Sequence, residues 1–205
     1  MVAIIDYDAG NIKSVEKAFQ YLGAETVVTR DPKELFRADR VVLPGVGAFA
    51  DAMKRIDQYG LRSSIKEVVD KEIPFLGICL GLQLLFDSSE ELGGAEGLGI
   101  LRGKIQLIPG TDNSGNSYKV PQIGWNNLKF PREGKLFKDL PEDPYVYFVH
   151  SYYLNAADKG IVTATTDYSV TIDASVESGN VFACQFHPEK SADVGMQILK
   201  NFLAV

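Results

Sequence analysis

The chain has 205 residues, 45% of them hydrophobic and 23% charged, with a formal net charge of −6. Length and apolar content suit one large α/β domain over 1–205 with a sizeable core, and the acidic balance argues against a nucleic-acid partner. Two cysteines make no disulfide framework, Met1-Val2-Ala3 carries no positive leader region, and the longest apolar run, 73–86, is interrupted and too short for a bilayer; the expectation is a soluble cytoplasmic protein without a membrane partner.

Val2 to Tyr7 reads as a buried strand closed by the turn Asp8-Ala9-Gly10-Asn11. Ile12, Val15, Ala18, Phe19 and Leu22 then fall on one helical face, which Gly23 terminates. Strands follow at 25–29 and 41–43, the latter running into Pro44-Gly45-Val46-Gly47-Ala48-Phe49. Helical segments at 49–58 and 61–72 lead to the strand that delivers Cys79, and helical spacing continues to Phe86. Strands alternating with helices imply a doubly wound parallel sheet whose sites collect at the strands' carboxyl ends, where Asp8, Pro44–Gly47 and Cys79 fall. Beyond the Gly-rich loop 87–99, short strands at 105–108, 125–128, 145–149, 161–165, 170–176 and 181–186 should add antiparallel pairing. Residues 111–117 read as a mobile loop, and the chain ends in a helix over 192–203.

In Gly77-Ile78-Cys79-Leu80-Gly81 an apolar strand turns sharply into a helix, the pattern of a nucleophile elbow. At a helix start the thiolate form is favoured. A Cys among apolar neighbours is more often a packing residue, so the reading needs a base. The chain offers His150 and His187. His187 is the better choice: Pro188 holds it extended, and Glu189, two residues on, can lie beside the ring as the orienting carboxylate of a triad. Acyl transfer also needs an oxyanion hole, for which the Leu80 N–H and the glycine-rich Gly45-Val46-Gly47 are suited. Gln83, one helical turn after Cys79, faces either core or ligand, and its nearness to the nucleophile favours ligand. Cys184 lies in an apolar strand with no base nearby and reads as packing. No metal spacing and no nucleotide-binding motif is present, so no cofactor is indicated.

Gly77-Ile78-Cys79-Leu80-Gly81-Leu82-Gln83 with Phe186-His187-Pro188-Glu189 resembles the class I (triad) glutamine amidotransferases, over nearly the whole chain. Within that family, Pro44–Phe49 and Gly124-Trp125-Asn126 are similar to the glutaminase subunits of imidazole glycerol phosphate synthases. The resemblance implies a flavodoxin-like sheet and hydrolysis of L-glutamine, with Cys79 attacking the side-chain amide, His187 shuttling the proton and Glu189 orienting it. It implies that Gly47, Gln83 and Glu91 hold the amino-acid end of the substrate and that the Ser151-Tyr152 backbone closes the pocket. It further implies a cyclase (β/α)8-barrel partner in a heterodimer, taking up ammonia, with Asn11, Ser14, Trp125, Tyr147 and Lys190 at the interface. Reorientation of the oxyanion strand, for which the glycines at 45 and 47 leave freedom, would accompany activation. Ala9, where relatives often have Pro, and Gln122, where many have His, depart from the pattern. Two other readings stay open: a glutaminase serving an anthranilate- or aminodeoxychorismate-type synthase, and a non-catalytic flavodoxin-like binding domain.

Overall fold

The computed structural model describes residues 1–8 and 10–205; Ala9 lies outside them. A seven-stranded sheet has the order β11-β12-β13-β4-β3-β1-β2. Its strands are β1 (Val2–Ile5), β2 (Thr26–Thr29), β3 (Arg40–Gly45), β4 (Phe75–Cys79), β11 (Val162–Asp167), β12 (Thr171–Ser178) and β13 (Val181–Cys184). Strands β2, β1, β3, β4 and β13 run parallel, in the spatial order of the flavodoxin-like fold, and β12 and β11 extend the sheet antiparallel. This agrees with the expected α/β class, including the antiparallel strands of the C-terminal half.

Successive side chains of a strand point to opposite faces, and both faces here are buried. Ala3, Ile5, Val41 and Leu43 pack under α3 (Phe49–Gln58) and α4 (Leu61–Asp70), through Phe49, Met53, Ile56, Ile65 and Val68. Val2, Ile4, Val42 and Leu76 pack under α1 (Ile12–Tyr21) and α6 (Ala192–Leu203), through Val15, Phe19, Ile198 and Phe202. Continuous apolar runs in β1 and β3 follow from this double coverage. The four-residue α2 (Pro32–Leu35), capped by the Asp31 carboxylate accepting from Lys33 N–H at 2.9 Å, is too short to show as a helical period in the sequence.

A smaller sheet, β10-β7-β5-β6, and the hairpin-like pair β8–β9 complete the fold. These strands are β5 (Ser88–Ser89), β6 (Ala95–Glu96), β7 (Gly103–Leu107), β8 (Gln122–Asn127), β9 (Tyr145–His150) and β10 (Tyr152–Ala156). The segment 111–117 is a turn closed by Asp112, whose carboxylate accepts from Ser114 and Asn116 N–H at 2.8 and 2.9 Å. Among the described residues, no helix is long and apolar enough to cross a membrane.

Candidate active site

Cys79 is the last residue of β4 and sits at the start of α5 (Leu80–Leu84), with φ 55° and ψ −110°. A side chain other than glycine at positive φ stores strain of order 1–3 kcal/mol, which surrounding packing must enforce. The flanking glycines show how. A Cβ on Gly77 would lie 2.8 Å from the Gly81 carbonyl oxygen, and one on Gly81 would lie 1.8 Å from that of Leu43. Strand and helix thus meet backbone against backbone, with Cys79 thrust out between them. Helical spacing predicts continuation to Phe86, but α5 stops at Leu84. The N–H groups of Leu85 and Phe86 donate instead to the carbonyls three residues back, Leu82 and Gln83, both at 3.2 Å, which tightens the last turn, and the carbonyls of Leu84, Leu85 and Phe86 accept from the 98–101 segment. Five residues carry a weak macrodipole, so what the elbow offers the sulfur is chiefly the free N–H groups of one helical turn.

His187 and Glu189 meet as expected, but by a different route. His187 is extended, whereas Pro188–Lys190 forms a single 3-10 turn that brings the carboxylate to the ring. His187 Nδ1 donates to Glu189 Oε1 at 2.7 Å, both side chains being essentially fully covered. The turn is braced from two sides. The His187 N–H donates to the Tyr147 carbonyl at 3.0 Å, and Gly195 of α6 packs so closely that a Cβ there would lie 1.9 Å from the Pro188 oxygen. Asn11 Nδ2 donates to the same Glu189 oxygen, while Glu189 Oε2 and His187 Nε2 are buried without hydrogen-bond partners among the described residues. Burial pulls the His187 imidazolium down, but Cys79 and Glu189 outweigh it and hold the group up at about 9.

A cavity of about 400 Å³ opens over these groups, lined by Val46, Gly47, Cys79, Leu80, Gln83, Glu91, Ser151, Tyr152, His187 and Lys190 among others. It therefore gathers the expected nucleophile, base and substrate-end residues in one place. Gly45 is the exception. It does not line the cavity: it pairs with Cys79 inside the sheet, and a Cβ there would fall 2.3 Å from the Tyr7 hydroxyl and 3.0 Å from Leu80. Tyr7 donates to the Pro44 carbonyl at 2.8 Å, pinning this end of β3. The expected freedom at both glycines is thus corrected: Gly45 is required for close packing, and Gly47, at φ +102° with open space about it, is the permissive residue. A larger hollow, about 760 Å³, lies between Phe130, Arg132, Lys135, Lys138 and Glu177, but it holds no cysteine or histidine. Size alone does not select the reactive cavity.

Gln83 combines the two roles the sequence left open. Its Nε2 donates to the Tyr152 carbonyl at 2.9 Å and to Gln185 Oε1 at 3.0 Å, so it is core-bonded yet still on the cavity wall. Glu91 Oε2 accepts from the Phe49 N–H at 2.7 Å, at the start of α3. Cys184 is fully buried, and burial pushes its thiol well up, as suits a packing residue. Among the described residues no cluster of His, Cys, Asp and Glu could hold a metal ion. On the outer face, Trp125 and Tyr147 are cross-strand partners whose ring centres lie 6.1 Å apart, beside exposed Ile123 and Tyr145. Asn11, Ser14 and Lys190 gather where the start of α1 meets the His-Pro-Glu turn.

His150, for which the sequence showed no partner, is held by two. Its Nδ1 lies 2.8 Å from the Tyr152 carbonyl and its Nε2 3.1 Å from the Gln122 side-chain amide. Burial lowers it to about 4, so it is neutral at pH 7; the Tyr152 carbonyl only accepts, which puts the proton on Nδ1, and Gln122 then turns its amide NH2 toward Nε2. A depressed base takes fewer protons folded than unfolded. Its stabilising contribution is present above about pH 6.5 and is lost as pH falls toward 4, a change of about 3 kcal/mol. Urea unfolding at pH 7 and pH 4.5 should show a loss for the native chain that is smaller by roughly that amount in His150→Gln.

The family model for glutamine amidotransferase class-I matches residues 3–205. The chain belongs to the class I glutamine amidotransferases. This amidotransferase is 51% identical over its whole length to the imidazole glycerol phosphate synthase subunit HisH of Bacillus cereus strain G9842, covering 95% of that protein. It is 49% identical to the same subunit of Moorella thermoacetica, over 98% of this chain and 93% of that one. Solved structures share the fold. One glutamine amidotransferase superposes with a TM-score of 0.75 at 18% identity, covering 100% of this chain and 98% of the other. The acivicin-bound glutaminase domain of Trypanosoma brucei CTPS gives 0.66 at 18% identity, covering 99% and 93%.

Proposed function

We infer that this amidotransferase is the glutaminase subunit of imidazole glycerol phosphate synthase, hydrolysing L-glutamine and delivering ammonia to a cyclase barrel with which it forms a heterodimer in the cytoplasm. The observation that carries the chemistry is that His187, bonded to the covered Glu189, lines with Cys79 one cavity of substrate size. The synthase assignment is supported by whole-chain identity near one half to subunits of that name.

In the proposed reaction the Cys79 sulfur attacks the side-chain amide carbon of glutamine, and the Leu80 N–H with a backbone N–H from Val46–Gly47 takes the charge developing on oxygen. His187 protonates the departing amide nitrogen, releasing ammonia, then draws a proton from the water that cleaves the thioester to give glutamate. Glu189 keeps the Nδ1 proton in place and stabilises the imidazolium. Gln83 Oε1, which makes no hydrogen bond to the described residues, and the Glu91 carboxylate would receive the ammonium end of the substrate. The exposed Ile123, Trp125 and Tyr145, with Lys190 on the cavity wall and exposed Ser14 in the first turn of α1, supply an apolar and charged surface for the partner.

A glutamine-like electrophile should label Cys79 and leave Cys184 untouched, as read by peptide mass. Glutamate release should rise strongly on titration with the cyclase barrel and its acceptor nucleotide, and not with an anthranilate-type synthase. Equal labelling of both thiols, or none, would count against the chemistry; activation by the wrong synthase would count against the pathway.

A further inference from the structure

Gln185 closes a buried chain of hydrogen bonds that ends on the nucleophile. It follows β13 directly, is fully buried, and its N–H donates to the Ala174 carbonyl at 2.9 Å. Its side-chain oxygen accepts from Gln83, and its Nε2 donates to Cys79 Sγ at 3.7 Å.

The direction of this chain is dictated by chemistry. The Tyr152 carbonyl can only accept, so Gln83 must turn its nitrogen toward it. That nitrogen also meets Gln185, so Gln185 must turn its oxygen toward Gln83 and its nitrogen toward the sulfur. One backbone carbonyl on the cavity wall thereby sets, through two amides, the polarity of the group facing Cys79. We propose that Gln185 is a positioning residue for the reaction: its side-chain Nε2–H holds the Cys79 sulfur in place and stabilises the thiolate that attacks. A buried amide would otherwise be an expensive way to fill core space that Met or Leu could occupy. The inference rests on the proposed Cys79 chemistry.

Other groups also act on this sulfur and its base: the Tyr7 hydroxyl two residues past β1, Cys184 on β13, and His187 with Glu189 in the turn after it. His150 from β9 acts on His187, and Glu91 and Lys190 stand on the cavity wall. The test therefore compares variants in which all of these are retained. Iodoacetamide alkylation of Cys79 in the full chain, read by peptide mass against pH, should shift its midpoint upward by about one unit in Gln185→Met, with about a tenfold slower rate below the midpoint. Gln185→Glu keeps the oxygen toward Gln83 but offers the sulfur a carboxylate, and should shift at least as far. With the cyclase partner present, kcat for glutamine should fall about tenfold while KM stays within about twofold. Folded variants with an unmoved alkylation midpoint would reduce Gln185 to a packing residue. Should neither variant fold, the Gln185 side-chain amide protons of the unmutated chain, followed by NMR, must titrate with the alkylation midpoint, and their failure to do so overturns the proposal. Absence of glutamine turnover and of selective Cys79 labelling in the unmutated chain is a different result: it removes the triad, and this inference with it.

Discussion

Cys79→Ala should abolish glutamine hydrolysis while leaving the fold and the partner complex intact. Loss of the nucleophile from a comparable triad costs roughly 10⁶ in kcat, because attack, general base and oxyanion stabilisation act as one unit. Alanine removes little more than the sulfur from a buried site and keeps the same backbone, so the stability change should stay near 1 kcal/mol. The same variant reads the electrostatics. His187 is held up at about 9 against burial by Cys79 and Glu189 together. With the sulfur gone, burial is opposed by Glu189 alone, and the imidazole midpoint followed by NMR should fall. In the native chain the imidazolium persists until pH rises through about 9, so activity that needs the charged pair should decline on that limb, with a macroscopic midpoint belonging to the pair. Residual turnover in Cys79→Ala, or a His187 midpoint that ignores the substitution, would refute the assigned nucleophile.

The parts of this molecule legible in the sequence are those whose physics is local. The elbow declares itself because a strand that must turn into a helix without clash needs glycine on both sides of the apex, and Gly77 and Gly81 are there. The parallel sheet shows through β1, β3 and β4 because both of its faces are covered and their runs are continuously apolar. What escaped is set by distant partners. Helical spacing carries on past Leu84, yet Leu85 and Phe86 close the turn with bonds three residues back, and the 98–101 segment takes the carbonyls beyond. β5 and β6 are two-residue pairings in a polar loop, stabilised by β7 and invisible as a pattern. β10 escaped because its partner β7 lies about fifty residues away in sequence. Gln185 looks like any polar residue ending a strand until Gln83 and Cys79, more than a hundred positions earlier, are placed against it. Gly45 illustrates the converse. In the sequence its glycine reads as backbone freedom, but the Tyr7 hydroxyl beneath it shows that close packing is the reason.

Gly81→Ala should destabilise the protein and silence it together, against what helix propensity alone predicts. In an exposed helix the exchange gains about 1 kcal/mol, since alanine loses less backbone entropy. Here the new Cβ would stand 1.8 Å from the Leu43 oxygen and 2.9 Å from its carbonyl carbon, and both are backbone atoms of a central strand that cannot swing aside as a side chain would. Overpacking against mobile side chains already costs about 1–3 kcal/mol. Against β3 the net loss should be about 3 kcal/mol, or roughly a 10 °C fall in Tm for a chain of this size. Any relief requires α5 and β3 to part, and these two elements carry the facing halves of the site: Cys79, Leu80 and Gln83 on one side, Val46 and Gly47 at the end of the other. A separation of even an ångström between nucleophile and oxyanion donors is worth about 10²-fold in rate, so the folded fraction of the variant should also be slow. Gly110→Ala is the control. Its φ is not in the left-handed region and its nearest contact would be the Tyr118 oxygen at 3.9 Å, so thermal unfolding should move by less than about 0.5 kcal/mol and turnover should be unchanged. Native-like Tm and kcat in Gly81→Ala would mean that the strand-to-helix contact is not what holds Cys79 at its strained backbone.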